Sequence, residues 1–311
     1  MEEADIVRKV FSVIPYWKIP ICAGVLLITQ GVMKFWGAET DWVLFAIIFI
    51  LHSFLIIVAA LLEIRFAMTH KNLLEGYSLL CRKAPWSNSV SIDADKDLSQ
   101  FNFSIYMLAA LAVFMDFCLL KTGLNAGKAT LLLAAEIISI FLFAFSGSIS
   151  ALSGLEEVLD GIIVSILPSV FLISSSNMMD QMMLTWTALI LPVYFLFLAF
   201  RFTSSMKLLE SWEVYNPGFF KNLIENSSFI LHHAFLFAVY VVVVVMNRMG
   251  VQWRILWPQL LLVPTLSLQI FLAERVKTQN KLMNILLMVS FINLFLLMYM
   301  DIYTLWIGVI A

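Results

Sequence analysis

Polar and apolar positions alternate along this chain on the scale of whole helices. Nine mainly apolar runs span 19–35, 42–62, 102–120, 129–147, 158–176, 184–202, 228–246, 253–273 and 283–301. Each is close to the roughly 20 residues that a helix needs to cross the hydrocarbon of a bilayer. The runs are continuous rather than alternating, and longer than barrel strands, which excludes a membrane β-barrel. The pattern therefore predicts an all-α polytopic membrane protein with nine transmembrane helices in a single membrane domain, 1–311. An interfacial segment, 1–18, precedes the first run, and two long polar connections follow the second and sixth, at 63–101 and 203–227.

Within that pattern one motif appears twice, each time where an apolar run ends. Arg65-Phe66, Lys71, Leu73-Leu74-Glu75, Gly76 and Tyr77 form the first copy. Arg201-Phe202, Lys207, Leu208-Leu209-Glu210, Ser211 and Trp212 form the second, allowing one gap. Charges are scarce in so apolar a chain, so two matching charged segments indicate an internal pseudo-repeat. Each copy is expected to extend its helix beyond the bilayer, with Lys71 and Glu75 four residues apart and Lys207 and Glu210 three apart on one face.

Composition agrees with the membrane reading. Hydrophobic residues make up 62% and charged residues 13%, and the mean hydropathy of +0.94 is too high for a soluble globule. Of 19 basic residues, the connections on one side keep only Lys34, Lys121, Lys128, Arg248 and Arg254. The positive-inside rule then places the amino terminus in the cytoplasm and the carboxyl terminus outside, with the cell inner membrane as the expected location. No basic block points to nucleic acid. Cys22, Cys81 and Cys118 show no CxxC spacing, so neither a disulfide nor a metal cluster is expected.

Few residues inside the runs are ionisable, and such residues are functional candidates by default. Glu136 near the middle of the fourth run is the foremost, with a hydrogen-bonded interior acid as its plain reading. His52 and Asp116 follow. A haem between His52 and His232 or His233 is disfavoured, because the residues fall at different depths. The connection near 148–157 lacks Lys and Arg and is small and acidic, with Glu156, Glu157 and then Asp160. No run shows the Gly/Pro interruption expected of a broken helix.

Several of these segments resemble the UbiA superfamily of intramembrane prenyltransferases. Pro15-Tyr16-Trp17-Lys18-Ile19-Pro20 is similar to that family's entry into the first helix. Ser153-Gly154-Leu155-Glu156-Glu157 resembles its segment before the fifth, and Phe219-Phe220-Lys221-Asn222-Leu223-Ile224-Glu225 the opening of its seventh. Nine helices with motif-bearing loops after the second and sixth complete the resemblance. It implies a UbiA-like bundle and an isoprenyl diphosphate donor, held in the family by Asp-rich motifs through Mg²⁺. Here Glu63 stands near the first acidic position, but Phe66 and His70 fall where others belong, and Arg201 to Lys207 contains no acid before Glu210.

Three readings stay open. In the first, the chain is a divergent or degenerate member that binds a lipid, isoprenoid or quinone-type ligand, or serves as an accessory subunit to a membrane-protein partner. In the second, it is an active prenyltransferase in which Arg65, Lys71, Arg201 and Lys207, with Glu63, His70 and Glu210 nearby, hold the head group. No cofactor is expected, and Mg²⁺ enters only if prenyl transfer survives. In the third, it is a small transporter rocking about a site that contains Glu136.

Overall fold

The computed structural model describes residues 15–69, 94–121, 126–146, 156–209, 219–276 and 279–308. Every regular element among these is helical. Helix α1 is Lys18–Phe35, α2 Trp42–Thr69, α3 Ala94–Lys121 and α4 Ala126–Ser146. The fifth, α5, opens as Glu156–Gly161, widens to a π-helical Ile162–Ile166 and continues as Leu167–Ser174. Helices α6 (Met179–Leu209) and α7 (Phe219–Arg248) are the longest pair. The eighth, α8, comes in two pieces, Trp253–Leu260 and Val263–Val276, and α9 runs Met283–Tyr303 into a π-turn at Thr304–Gly308.

Among the described residues, eight of these are long and apolar enough to cross a membrane, and α4 carries an apolar stretch at Leu133–Leu142. The chain is thus a polytopic helical membrane protein. The motif-bearing helices continue past their apolar spans: α2 goes beyond Leu62 through Arg65 to Thr69, and α6 beyond Ser204 to Leu209. Each then packs extensively against its successor, α2 on α3 and α6 on α7, forming two long hairpins at matching places in the two halves.

A band of tryptophans marks one end of the bundle. Trp36 closes α1, Trp42 opens α2, Trp253 and Trp257 lie at the start of α8, and Trp306 lies in the last turn of α9. The first four are exposed, as amphipathic rings at a membrane–water boundary are. Trp42 and Trp306 meet with centroids 5.6 Å apart, and Lys34 lies 4.8 Å over the Trp306 ring. Lys18, Arg65 and Arg201 occupy the opposite, basic end.

Expectation and structure part over broken helices. Span α8 is interrupted at Leu261–Leu262, between Pro258 and Pro264. Proline has no amide hydrogen, so Pro264 cannot donate to the Leu260 carbonyl, and the chain turns once before helix resumes. Leu261 and Leu262 instead donate to the carbonyls of Pro258 and Gln259. In α5 the π-widening precedes Pro168. There Ser165 donates its hydroxyl to the Gly161 carbonyl at 2.6 Å, and Ser169 to those of Ser165 and Ile166. Hydroxyls of this kind satisfy carbonyls loosened by a helix defect, where the bilayer offers no water.

The core centres on α1, α6 and α9. Gly24 and Gly31, two turns apart on α1, face Met298 and Leu305, also two turns apart, on α9. A Cβ at Gly31 would fall 2.9 Å from both Leu305 Cβ and Trp306 Nε1. Small residues let the two backbones approach, which is how helices associate without a hydrophobic driving force. The Trp306 indole reaches across to the Leu27 carbonyl at 3.1 Å. Gly31→Val should therefore force α1 from α9 and cost about 1–3 kcal/mol. A thermal-unfolding series in detergent would show it, with the lipid-facing Val113→Leu as an unaffected control.

Candidate functional site

At the basic end three helices converge on one carboxylate. Asp160, in the first turns of α5, is 2% exposed. Its Oδ1 lies 2.5 Å from Lys18 Nζ at the start of α1, and its Oδ2 lies 2.9 Å from Arg201 Nε near the end of α6. Asp160 and the buried Glu157 belong to the amino-terminal part of a helix, where its dipole favours negative charge. Aromatic rings form the floor. Trp17 stacks on Phe197 at 6.0 Å and meets Phe200 edge-on at 5.2 Å, and Lys18 Nζ lies 5.5 Å over the Trp17 ring. Tyr16 precedes the span, and burial raises its phenol above the ordinary value, so it stays protonated at neutral pH. The cluster thus brings two cations and a buried carboxylate against aromatic rings at the basic end of the bundle.

The structure gathers only part of the predicted residue set. Arg201 joins the cluster, whereas Arg65, half-buried on α2, makes no ion pair among the described residues. Glu63 lies on α2 and Lys207 on α6. His70, Lys71 and Glu210 lie outside the described residues, as do residues 1–14 and the Ser153–Gly154–Leu155 segment. Arg201 reaches Asp160, which belongs to the segment that the sequence marks as small and acidic.

Glu136 has a partner as well. It is 1% exposed, and its Oε1 lies 2.7 Å from His52 Nε2, although the pair is poorly aligned for a linear hydrogen bond. His52 Nδ1 donates to the Ile48 carbonyl at 2.9 Å, which fixes that nitrogen as the protonated one. Asp116 and Cys22 lie within electrostatic reach of Glu136. The interior acid is thus partnered by an imidazole, not by a Ser or Thr.

A second set of buried polar groups lies in the carboxyl-terminal half. Gln269 Nε2 sits 2.9 Å from His232 Nε2, and Asn293 Nδ2 donates to Gln269 Oε1 at 2.7 Å and to the Thr265 carbonyl at 3.3 Å. Gln259 Nε2 donates to Asp301 Oδ1 and to the Ala188 carbonyl, both at 3.3 Å. Sequence reading passed these over. The amides carry no charge, and Asp301 falls on the last residue of its apolar run, where it reads as a boundary residue. Their only signal was glutamine and asparagine recurring inside runs otherwise apolar. His232 is engaged with Gln269 and His52 with Glu136, so the two imidazoles serve separate pairs.

No family model, curated protein or solved structure matches this chain. Among the described residues no three His, Cys, Asp or Glu side chains are grouped to hold a metal ion.

Two substitutions test the geometry. Asp160→Asn leaves Lys18 and Arg201 facing each other without the carboxylate and should cost about 3–5 kcal/mol. Adding Arg201→Gln should recover part of that loss in a double-mutant cycle of unfolding free energies. His52→Phe should destabilise the protein more than His52→Phe combined with Glu136→Leu, since the single change strands a buried carboxyl group.

Proposed function

We propose that the protein is a divergent, UbiA prenyltransferase-like membrane protein that binds a lipid of isoprenoid type by its anionic head group, without aspartate-and-magnesium chemistry. The observation that carries this reading is the Lys18–Asp160–Arg201 cluster. It brings two cations to the basic end of the bundle at the depth of a lipid head group, beside aromatic rings and above an apolar interior. Both oxygens of Asp160 face cations, so neither is disposed to a hard dication, which needs several oxygen ligands at once. The pairing of α2 with α3 and α6 with α7 also supports the duplicated plan on which the resemblance rests.

One observation favours the transporter reading: the interrupted span α8 with buried polar groups on both sides of the break. Discontinuous helices of this sort carry substrate and ion sites in secondary transporters.

Binding of a geranylgeranyl-length isoprenyl diphosphate to the chain in nanodiscs decides between the first two readings. The expected result is saturable binding that is unchanged by chelating Mg²⁺ and weakened about tenfold by Arg201→Gln, the loss of one charge-assisted hydrogen bond. Transfer of the isoprenyl group to an aromatic acceptor, dependent on Mg²⁺, would establish the transferase instead. No binding in either condition would remove the lipid reading.

A further inference from the structure

We propose that Asp301 and Gln259, at the break in α8, form an intramembrane site for one small monovalent cation, Na⁺ or a proton. Asp301 is wholly buried on α9. Its Oδ1 receives one long hydrogen bond from Gln259, and its Oδ2 has no hydrogen-bond partner among the described residues. Gln259 is equally buried, and its Oε1 is also without a partner. A carboxylate in hydrocarbon surroundings does not persist as an isolated charge; it takes a proton or a cation.

Among the described residues Asp301 makes no ion pair, and the side chain that bonds it is Gln259 of α8. Of the basic residues at that end of the bundle, Lys34 and Arg254 lie over the rings of Trp306 and Phe35, and Arg248 is exposed at the end of α7. Compensation must therefore come from a mobile ion.

The break provides the remaining chemistry. Gln259 is the penultimate residue of the first piece of α8, and the next carbonyl, that of Leu260, loses its helical donor to Pro264. One carboxylate and one amide oxygen without a partner, next to a break that frees a main-chain carbonyl, offer oxygen donors with a single negative charge. That set matches a monovalent rather than a divalent ion, and unwound main-chain carbonyls are how broken helices hold Na⁺. Depth agrees as well. Gln259 lies six residues into its span from the tryptophan end, and Asp301 six residues before the end of its own. At 1.5 Å per residue both stand about 9 Å below that boundary, so the ion enters from the tryptophan side.

The test uses the full chain in nanodiscs. ²²Na⁺ binding is measured directly, and thermal stability is followed against Na⁺ at constant ionic strength set with choline. A sodium site gives saturable binding of one ion per chain and a midpoint that rises with Na⁺, both lost in Asp301→Asn and weakened in Gln259→Leu. A proton site gives no Na⁺ effect, but the wild-type midpoint changes between pH 5 and 9 in a way that Asp301→Asn abolishes and Gln259→Leu displaces. If Asp301→Asn does not fold, wild type against Gln259→Leu makes the same comparison. Absence of Na⁺ binding together with identical pH profiles would overturn the proposal. Neither result bears on isoprenoid binding at the basic end, which the diphosphate titration judges separately.

Discussion

Asp160 is the residue on which the bundle turns. A buried carboxylate between two cations is tolerated only when all three are held in register, because any one left alone in a weakly polar interior is strongly unfavourable. Here the three come from positions 18, 160 and 201, on α1, α5 and α6. Lipid-facing helices slide and rotate against one another with little penalty, since lipid tails are as apolar as the side chains they meet. The ion cluster removes that freedom at the basic end, and the glycine contacts of α1 with α9 remove it along the length. Between them, α1 is fixed against three partners.

The same rule governs deeper levels. His52 with Glu136 ties α2 to α4, Gln269 with His232 ties α8 to α7, and Asn293 ties α9 to α8. These longer polar side chains are answered from a different helix, whereas buried hydroxyls such as Thr29, Ser165, Thr203 and Ser290 turn back on carbonyls of their own helices. Asp301 is answered by one amide at 3.3 Å, next to a span whose backbone is interrupted. In a membrane, an incompletely answered acid and a helix break at the same depth identify a place where something exchanges, whereas the other pairs identify where the bundle is held.

The helices and their ends were legible in the sequence because bilayer thickness sets both length and composition. The runs around α2 and α6, and their extension past Arg65 and Arg201, follow from apolar stretches closed by charged turns. The partners were not legible. Nothing local to Arg201 points to Asp160, forty residues earlier, or onward to Lys18, because the bond depends on how three helices are arranged. The break in α8 was hidden by hydropathy, which stays high through Leu260, Leu261 and Leu262 while Pro264 removes a single hydrogen bond.

The close contact of α1 with α9 also dictates an order of assembly. Helix α1 is synthesised before every other described span, yet two-thirds of it is buried, and its glycine face is completed only by α9, the last of them. During insertion that narrow face must wait beside lipid, or beside a chaperone, through the emergence of seven intervening helices. Closure of the molecule is therefore a late event, and a chain halted before α9 presents α1 with an unfilled seam that quality-control machinery is able to read.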